Sequence, residues 1–155
     1  MNDNKIFDAG IIDFLDAERW AAFPEACSKY MPKLIRLNEE RTELFCSFDT
    51  DKSMGNPVGN LHGGVISTFF DNAMGALATV NSGGAFTPTA SLTVNYLRAV
   101  PTGEPVFVRV RVSKAGRSVM YVTGEMFVSA DSETPYATAS AVYAVMLDKK
   151  VRWDV

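Results

Sequence analysis

Between Gly64 and Thr79 the apolar positions Val65, Ile66, Phe69, Phe70, Ala73, Met74, Leu77 and Ala78 recur at intervals of three and four, which predicts one long amphipathic helix. β-branched runs are absent after Ile66, and Asn81-Ser82-Gly83-Gly84 supplies a C-terminal cap. Four strand-like segments follow, at Thr89–Leu97, Val106–Ser113, Val119–Ser129 and Tyr136–Leu147. In the second of them Val106, Val108, Val110 and Val112 alternate with Phe107, Arg109, Arg111 and Ser113, the period of a strand with one solvated face. Pro101-Thr102-Gly103, Lys114-Ala115-Gly116-Arg117 and Asp131-Ser132-Glu133-Thr134-Pro135 read as the intervening turns.

Ahead of the helix, Leu34–Leu37 and Leu44–Phe48 flank the polar stretch Asn38–Glu43, which predicts a hairpin. Residues Ile11–Tyr30 have a loosely helical period broken at Pro24, so one or two short helices are expected there. Thr50–Asn60, rich in Asp, Ser, Gly, Asn and Pro, is a loop leading into the long helix. A helix followed by an antiparallel meander is an α+β arrangement. A strongly curved sheet needs something in its concavity, and Gly64–Thr79, slim at Gly75, Ala76 and Ala78, is the segment long and apolar enough to be wrapped by it.

With 155 residues, 47% hydrophobic and 21% charged, the chain fits one domain over residues 1–155, an N-terminal helical segment at 1–32 preceding a core at 33–155. Fifteen basic and 18 acidic side chains give a net charge of −3, without the basic excess of a nucleic-acid or anionic-membrane binder. No apolar run reaches the ~18 to 20 residues that span a bilayer, and Met-Asn-Asp-Asn-Lys does not begin a signal peptide, so a cytoplasmic protein is expected. Cys27 and Cys46 lack the spacing of a metal site or a disulfide framework and read as buried thiols, and no metal or cofactor is expected.

The chemistry concentrates between Asn56 and Asp71, where the only histidine and a glycine pair open the helix and an acid follows. A helix N-terminus carries unpaired N–H groups and partial positive charge, and glycines at 63 and 64 let a developing oxyanion come close to them. At 100° per residue the nine positions from His62 to Asp71 amount to about 900°, half a turn out of alignment, with a rise of ~13 Å. The two cannot meet on one regular helix, so a site using both must combine two chains. Taken singly, His62 could be a helix-start residue whose ring bonds backbone, Gly63-Gly64 a tight packing turn, and Asp71 an acid at a solvated rim or one satisfied by structural hydrogen bonds.

Together, Asn56, His62-Gly63-Gly64, Asp71-Asn72-Ala73 and the segment Thr89–Leu97 resemble the signature of hotdog-fold acyl-CoA thioesterases of the phenylacetic-acid-degradation type, from about Pro57 through Met146. The resemblance implies a long helix wrapped by a curved antiparallel sheet, a homodimer with two sites at its interface, and in many members a homotetramer of two dimers. It assigns Asp71 as general base or nucleophile, the Gly63 N–H as the donor to the thioester carbonyl, His62 and Asn56 as groups that orient carbonyl and water, and Thr89 as a small hydroxyl residue near the acid. Because a thiolate leaves readily, one carboxylate and an oxyanion donor suffice, and no G-x-S-x-G elbow is present. For the coenzyme A part of the substrate, Lys114 and Arg117 around Gly116 are the candidate phosphate contacts, ahead of Arg98, Arg109 and Arg111; a solvated turn is the alternative. Phe69, Phe70, Met74, Phe86 and Tyr96 could line an acyl pocket or fill the core. Competing functions on the same fold are a hydratase or dehydratase pairing His62 with Asp71, and a non-catalytic acyl-thioester binding protein.

Overall fold

The helix expected at Gly64–Thr79 is α1 (Gly63–Asn81) of the computed structural model, which describes residues 29–150. Ile66, Phe69, Phe70, Ala73, Met74, Ala76, Leu77, Ala78 and Thr79 are buried along it, so the helix is covered on most sides, as its composition requires. Its C-terminus is closed by Ser82, whose N–H donates to Ala78 O at 3.0 Å, and by Gly83 and Gly84 at φ 69° and 84°, a left-handed conformation that glycine adopts without strain.

Around it runs a six-stranded antiparallel sheet of β1 (Lys33–Leu37), β2 (Glu43–Phe48), β4 (Thr89–Tyr96), β5 (Val106–Ala115), β6 (Val119–Phe127) and β7 (Ala137–Ala144), in the order β1-β2-β5-β6-β7-β4. Its inward positions are small where the helix is bulky. Ala137, Ala139 and Ala141 alternate on β7, and a Cβ at Gly124 of β6 would stand 3.0 Å from Cδ1 of Phe70. The helix thus fixes which residues the concave face can carry. The expected hairpin is β1–β2, and its turn is organised by Asn38, whose Oδ1 accepts from the N–H groups of Thr42 and Glu43 at 2.8 Å each.

One expectation is corrected. The segment read as a single strand from Tyr136 to Leu147 breaks at Val145, where β7 has run past its neighbours: Val119↔Ala144 is the last pair with β6, and the N–H groups of Ala144 and Val145 turn to Pro88 O and Ser118 O. The chain beyond forms β8 (Met146–Lys150), paired in a separate two-stranded sheet with β3 (Ala85–Phe86). The helices expected within Ile11–Tyr30 lie outside the described residues except for a turn at Lys29–Tyr30, and Cys27 lies outside them too. Cys46 is buried at the sheet centre, its thiol facing Val108 O at 3.6 Å, and burial pushes its ionisation far up. No helix among the described residues is long and apolar enough to cross a membrane.

Candidate active site

His62 is the N-cap of α1, extended at φ −65° and ψ 137°, and its Nδ1 accepts from the Gly64 N–H at 3.0 Å. The ring is therefore bonded to backbone, and an accepting Nδ1 on a neutral imidazole leaves the proton on Nε2, a donor at an exposed position. The next donor differs: among the described residues the Gly63 N–H has no partner, while the Val65 N–H reaches His62 O at 2.9 Å. An unpaired N–H at the positive end of the helix dipole is the arrangement an oxyanion needs.

Asn56 shapes the approach to it. Its Oδ1 accepts from the N–H groups of Val58 and Asn60 at 3.0 and 3.1 Å, closing the loop before the helix, so only its Nδ2 is available to a ligand. Asn56 and Gly63 line a cavity of about 380 Å³ together with Tyr96. The Tyr96 hydroxyl sits 3.0 Å from Gly63 O and 2.7 Å from Ser67 Oγ, tying β4 to the start of the helix.

Asp71 lies in a different cavity, of about 310 Å³, shared with Gly75, Thr79, Phe86, Thr89 and Tyr143. Its Oδ1 accepts from the Thr89 hydroxyl at 2.7 Å and from the Tyr143 hydroxyl at 3.0 Å, and the latter also lies 3.0 Å from Asp71 O. Thr89 and Tyr143 are cross-strand partners on β4 and β7. That pairing exists because β4 carries one extra residue, Ala90, between the pairs Thr89↔Tyr143 and Ser91↔Val142. Leu92 and Val94 are paired with the inward-facing Ala141 and Ala139, so unbroken alternation would bring Ala90 to the helix and turn Thr89 outward; the bulge reverses this. The reading of Asp71 as an acid satisfied by hydrogen bonds therefore holds together with its place in a cavity.

Sequence reasoning passed over Tyr143. The available signal was a phenol at the fourth inward position of a strand whose other inward positions are alanines. Tyr143 is 1% exposed, and burial, then the neighbouring Asp71 charge, pushes its ionisation far above the usual tyrosine range.

The structure brings Asp71 and Thr89 together but keeps them apart from Asn56 and Gly63, since the two cavities share no residue. This is the separation expected from the half-turn offset along the helix. Of the apolar candidates, Phe69, Phe70 and Met74 are core at 0% exposure, whereas Phe86 lines the Asp71 cavity and Tyr96 the Gly63 cavity.

Lys114 stands at the end of β5 opposite Tyr121, and the turn beyond it is held by the Gly116 N–H to Val119 O at 2.9 Å. A Cβ at Gly116 would fall 2.7 Å from that same oxygen, so the turn requires glycine. Lys114 and Arg117 are exposed and have no ion-pair partner among the described residues. The competing arginines are engaged: Arg111 bonds Glu43 at 2.6 Å, Arg109 lies over the Phe127 ring at 5.1 Å, and Arg98 over Tyr136 at 5.7 Å.

Comparison with known proteins agrees with this fold. Acyl-coenzyme A thioesterase THEM4 of Xenopus laevis is 33% identical over 107 residues, 68% of this chain, and the chain spans about half (46%) of that relative's length. The structure of a phenylacetic acid degradation-related protein from Ralstonia eutropha JMP134 superposes with a TM-score of 0.70 at 26% identity, covering 83% of this chain and 98% of that one. A Streptococcus mutans UA159 protein solved bound to acetyl CoA superposes with a TM-score of 0.66 at 20% identity, covering 78% and 91%. The profile of the thioesterase superfamily matches residues 58–134, and the chain, a helix wrapped by an antiparallel sheet in the hotdog arrangement, belongs to that family.

Proposed function

We propose that this chain, as one domain, hydrolyses acyl-CoA or aryl-acyl-CoA thioesters to the free acid and coenzyme A. The observation that carries this reading is the pair of half-sites: a carboxylate held by two hydroxyls in one cavity, and an unpaired helix N-terminal N–H in another. In a homodimer the Asp71 half of one subunit meets the Gly63 half of its partner. The Gly63 N–H, aided by the Nε2–H of His62 and the Nδ2 of Asn56, takes the thioester carbonyl oxygen. With Asp71 as base, a water proton passes to the carboxylate as the water oxygen bonds to the carbonyl carbon. The C–S bond then breaks and the thiolate leaves without prior protonation. With Asp71 as nucleophile, the same carboxylate bonds to that carbon first, the C–S bond breaks to expel the thiolate, and water cleaves the resulting anhydride to the free acid and the Asp71 carboxylate. The relatedness to acyl-coenzyme A thioesterase THEM4 supports a coenzyme A ester as substrate, with Lys114 and Arg117 at its phosphates. The same reading assembles two dimers into a homotetramer, visible as a mass by native mass spectrometry, and places the protein in the cytoplasm.

The test is thiol release from a panel of esters running from acetyl- to palmitoyl-CoA with phenylacetyl- and benzoyl-CoA. Asp71→Asn, with its fold intact by circular dichroism, lowers kcat by ~10² to 10⁴ on the best substrate, the scale of a positioned base. No release from any ester overturns the reading, and a folded Asp71→Asn variant as active as wild type removes Asp71 from the mechanism.

A further inference from the structure

We infer that Tyr143 is a positioning residue which, with Thr89, occupies Oδ1 of Asp71 and so leaves Oδ2 as the carboxylate oxygen that meets the substrate. The inference rests on Asp71 being the catalytic acid of the proposed thioesterase. Its grounds are geometric. Both hydroxyls converge on the same oxygen, at 2.7 and 3.0 Å, and among the described residues no donor reaches Oδ2. The Tyr143 proton is shared with the main-chain carbonyl of Asp71 at 3.0 Å, so the phenol grips both the backbone and the side chain of Asp71 and fixes the side-chain torsion between them.

The phenol is well suited to this. Its ring is buried against the helix at Gly75, one turn beyond Asp71, with Cε1 3.4 Å from where a Cβ of residue 75 would lie, so it cannot swing away without opening the core. Thr89, by contrast, is exposed on the edge strand β4 and depends on the Ala90 bulge for its direction. Two donors on one oxygen concentrate charge-assisted bonding there. The other oxygen, free of donors among the described residues, is the better proton acceptor or nucleophile. Tyr143 touches neither water nor ester in this arrangement and acts through Asp71.

The test compares Tyr143→Phe, Thr89→Val and Asp71→Asn with wild type, each checked by thermal unfolding. Tyr143→Phe keeps the ring and its packing, so it is expected to fold. Its kcat drops about ten- to a hundredfold, the scale of one hydrogen bond to a charged group. KM stays unchanged. Thr89→Val shows the same split, lower kcat at unchanged KM, which a packing defect at Tyr143 would not reproduce. If Asp71→Asn is inactive while Tyr143→Phe retains wild-type kcat, the assignment of Tyr143 is wrong. If wild type releases no thiol, the functional reading has failed instead. The ¹³C shift of the Asp71 carboxyl at fixed pH then still decides the hydrogen bond, since a value identical in wild type and Tyr143→Phe excludes it.

Discussion

Gly63 lies under the ring of Tyr96: a Cβ at residue 63 would stand 3.3 Å from the ring Cζ, while the phenol oxygen is 3.0 Å from the Gly63 carbonyl. The residue whose N–H has no partner among the described residues is thus held at its own carbonyl by a residue of the edge strand. Gly63→Ala adds the crowding and keeps the donor, whereas Gly63→Pro adds the crowding and deletes the donor, in a helix position where proline is tolerated. Both variants lose stability by a similar amount in urea unfolding. Only the proline variant loses the ~2.7 to 4 kcal/mol of transition-state stabilisation typical of an oxyanion donor. Equal kcat in the two would move the donor elsewhere.

Lys114→Ala with Arg117→Ala raises KM for a coenzyme A ester and weakens its dependence on salt, because two exposed cations without ion-pair partners among the described residues are removed. Hydrolysis of a short pantetheine thioester, which lacks the nucleotide, stays as it was. A loss shared by both substrates would mean that the turn matters for structure and not for phosphate.

Separation of the two cavities within one chain makes a quantitative demand on mixed dimers. Inactive Gly63→Pro and inactive Asp71→Asn proteins, unfolded together and refolded, regenerate activity: each mixed dimer has one site with both intact halves, so random pairing restores about a quarter of all sites. Neither parent recovers alone. Absence of recovery, with mixed dimers seen by native mass spectrometry, would place both catalytic halves in one subunit.

Tyr143 also sets an alkaline limit. Burial, and then Asp71, raise the ionisation of its hydroxyl, so the folded protein holds this proton more tightly than the unfolded chain does. Its contribution is fully present below the ordinary tyrosine value of about 10 and is lost as pH climbs beyond it. Unfolding free energy followed through that range falls for wild type and falls less steeply for Tyr143→Phe. Parallel slopes would exclude Tyr143 as the group responsible.

The helix and the strands were legible because spacing of three and four, or of two, survives whatever packs around it. Val65 to Ala78 and Val106 to Val112 carry their own period. Thr89 was legible only through its likeness to relatives, since alternation counted back from Leu92 and Val94 assigns it to the outer face. The break at Val145 was hidden because it is set by where the neighbouring strands end, which residues 136–147 do not encode. Tyr143 was hidden for a related reason: what a strand residue faces depends on register with a strand some fifty positions earlier, and no local pattern reports it. His62 shows the opposite case, a residue whose modest reading as a helix cap and whose assigned role use different ring nitrogens and are both open to it.

Ala90 makes the orientation of Thr89 a matter of parity. With Ala90 present, straightening the bulge would turn the Thr89 hydroxyl to solvent, whereas deleting Ala90 would seat Thr89 directly before Ser91, in the inward slot opposite Tyr143, and leave the strand otherwise paired as before. The edge strand therefore carries an insertion that the site absorbs without losing its hydroxyl.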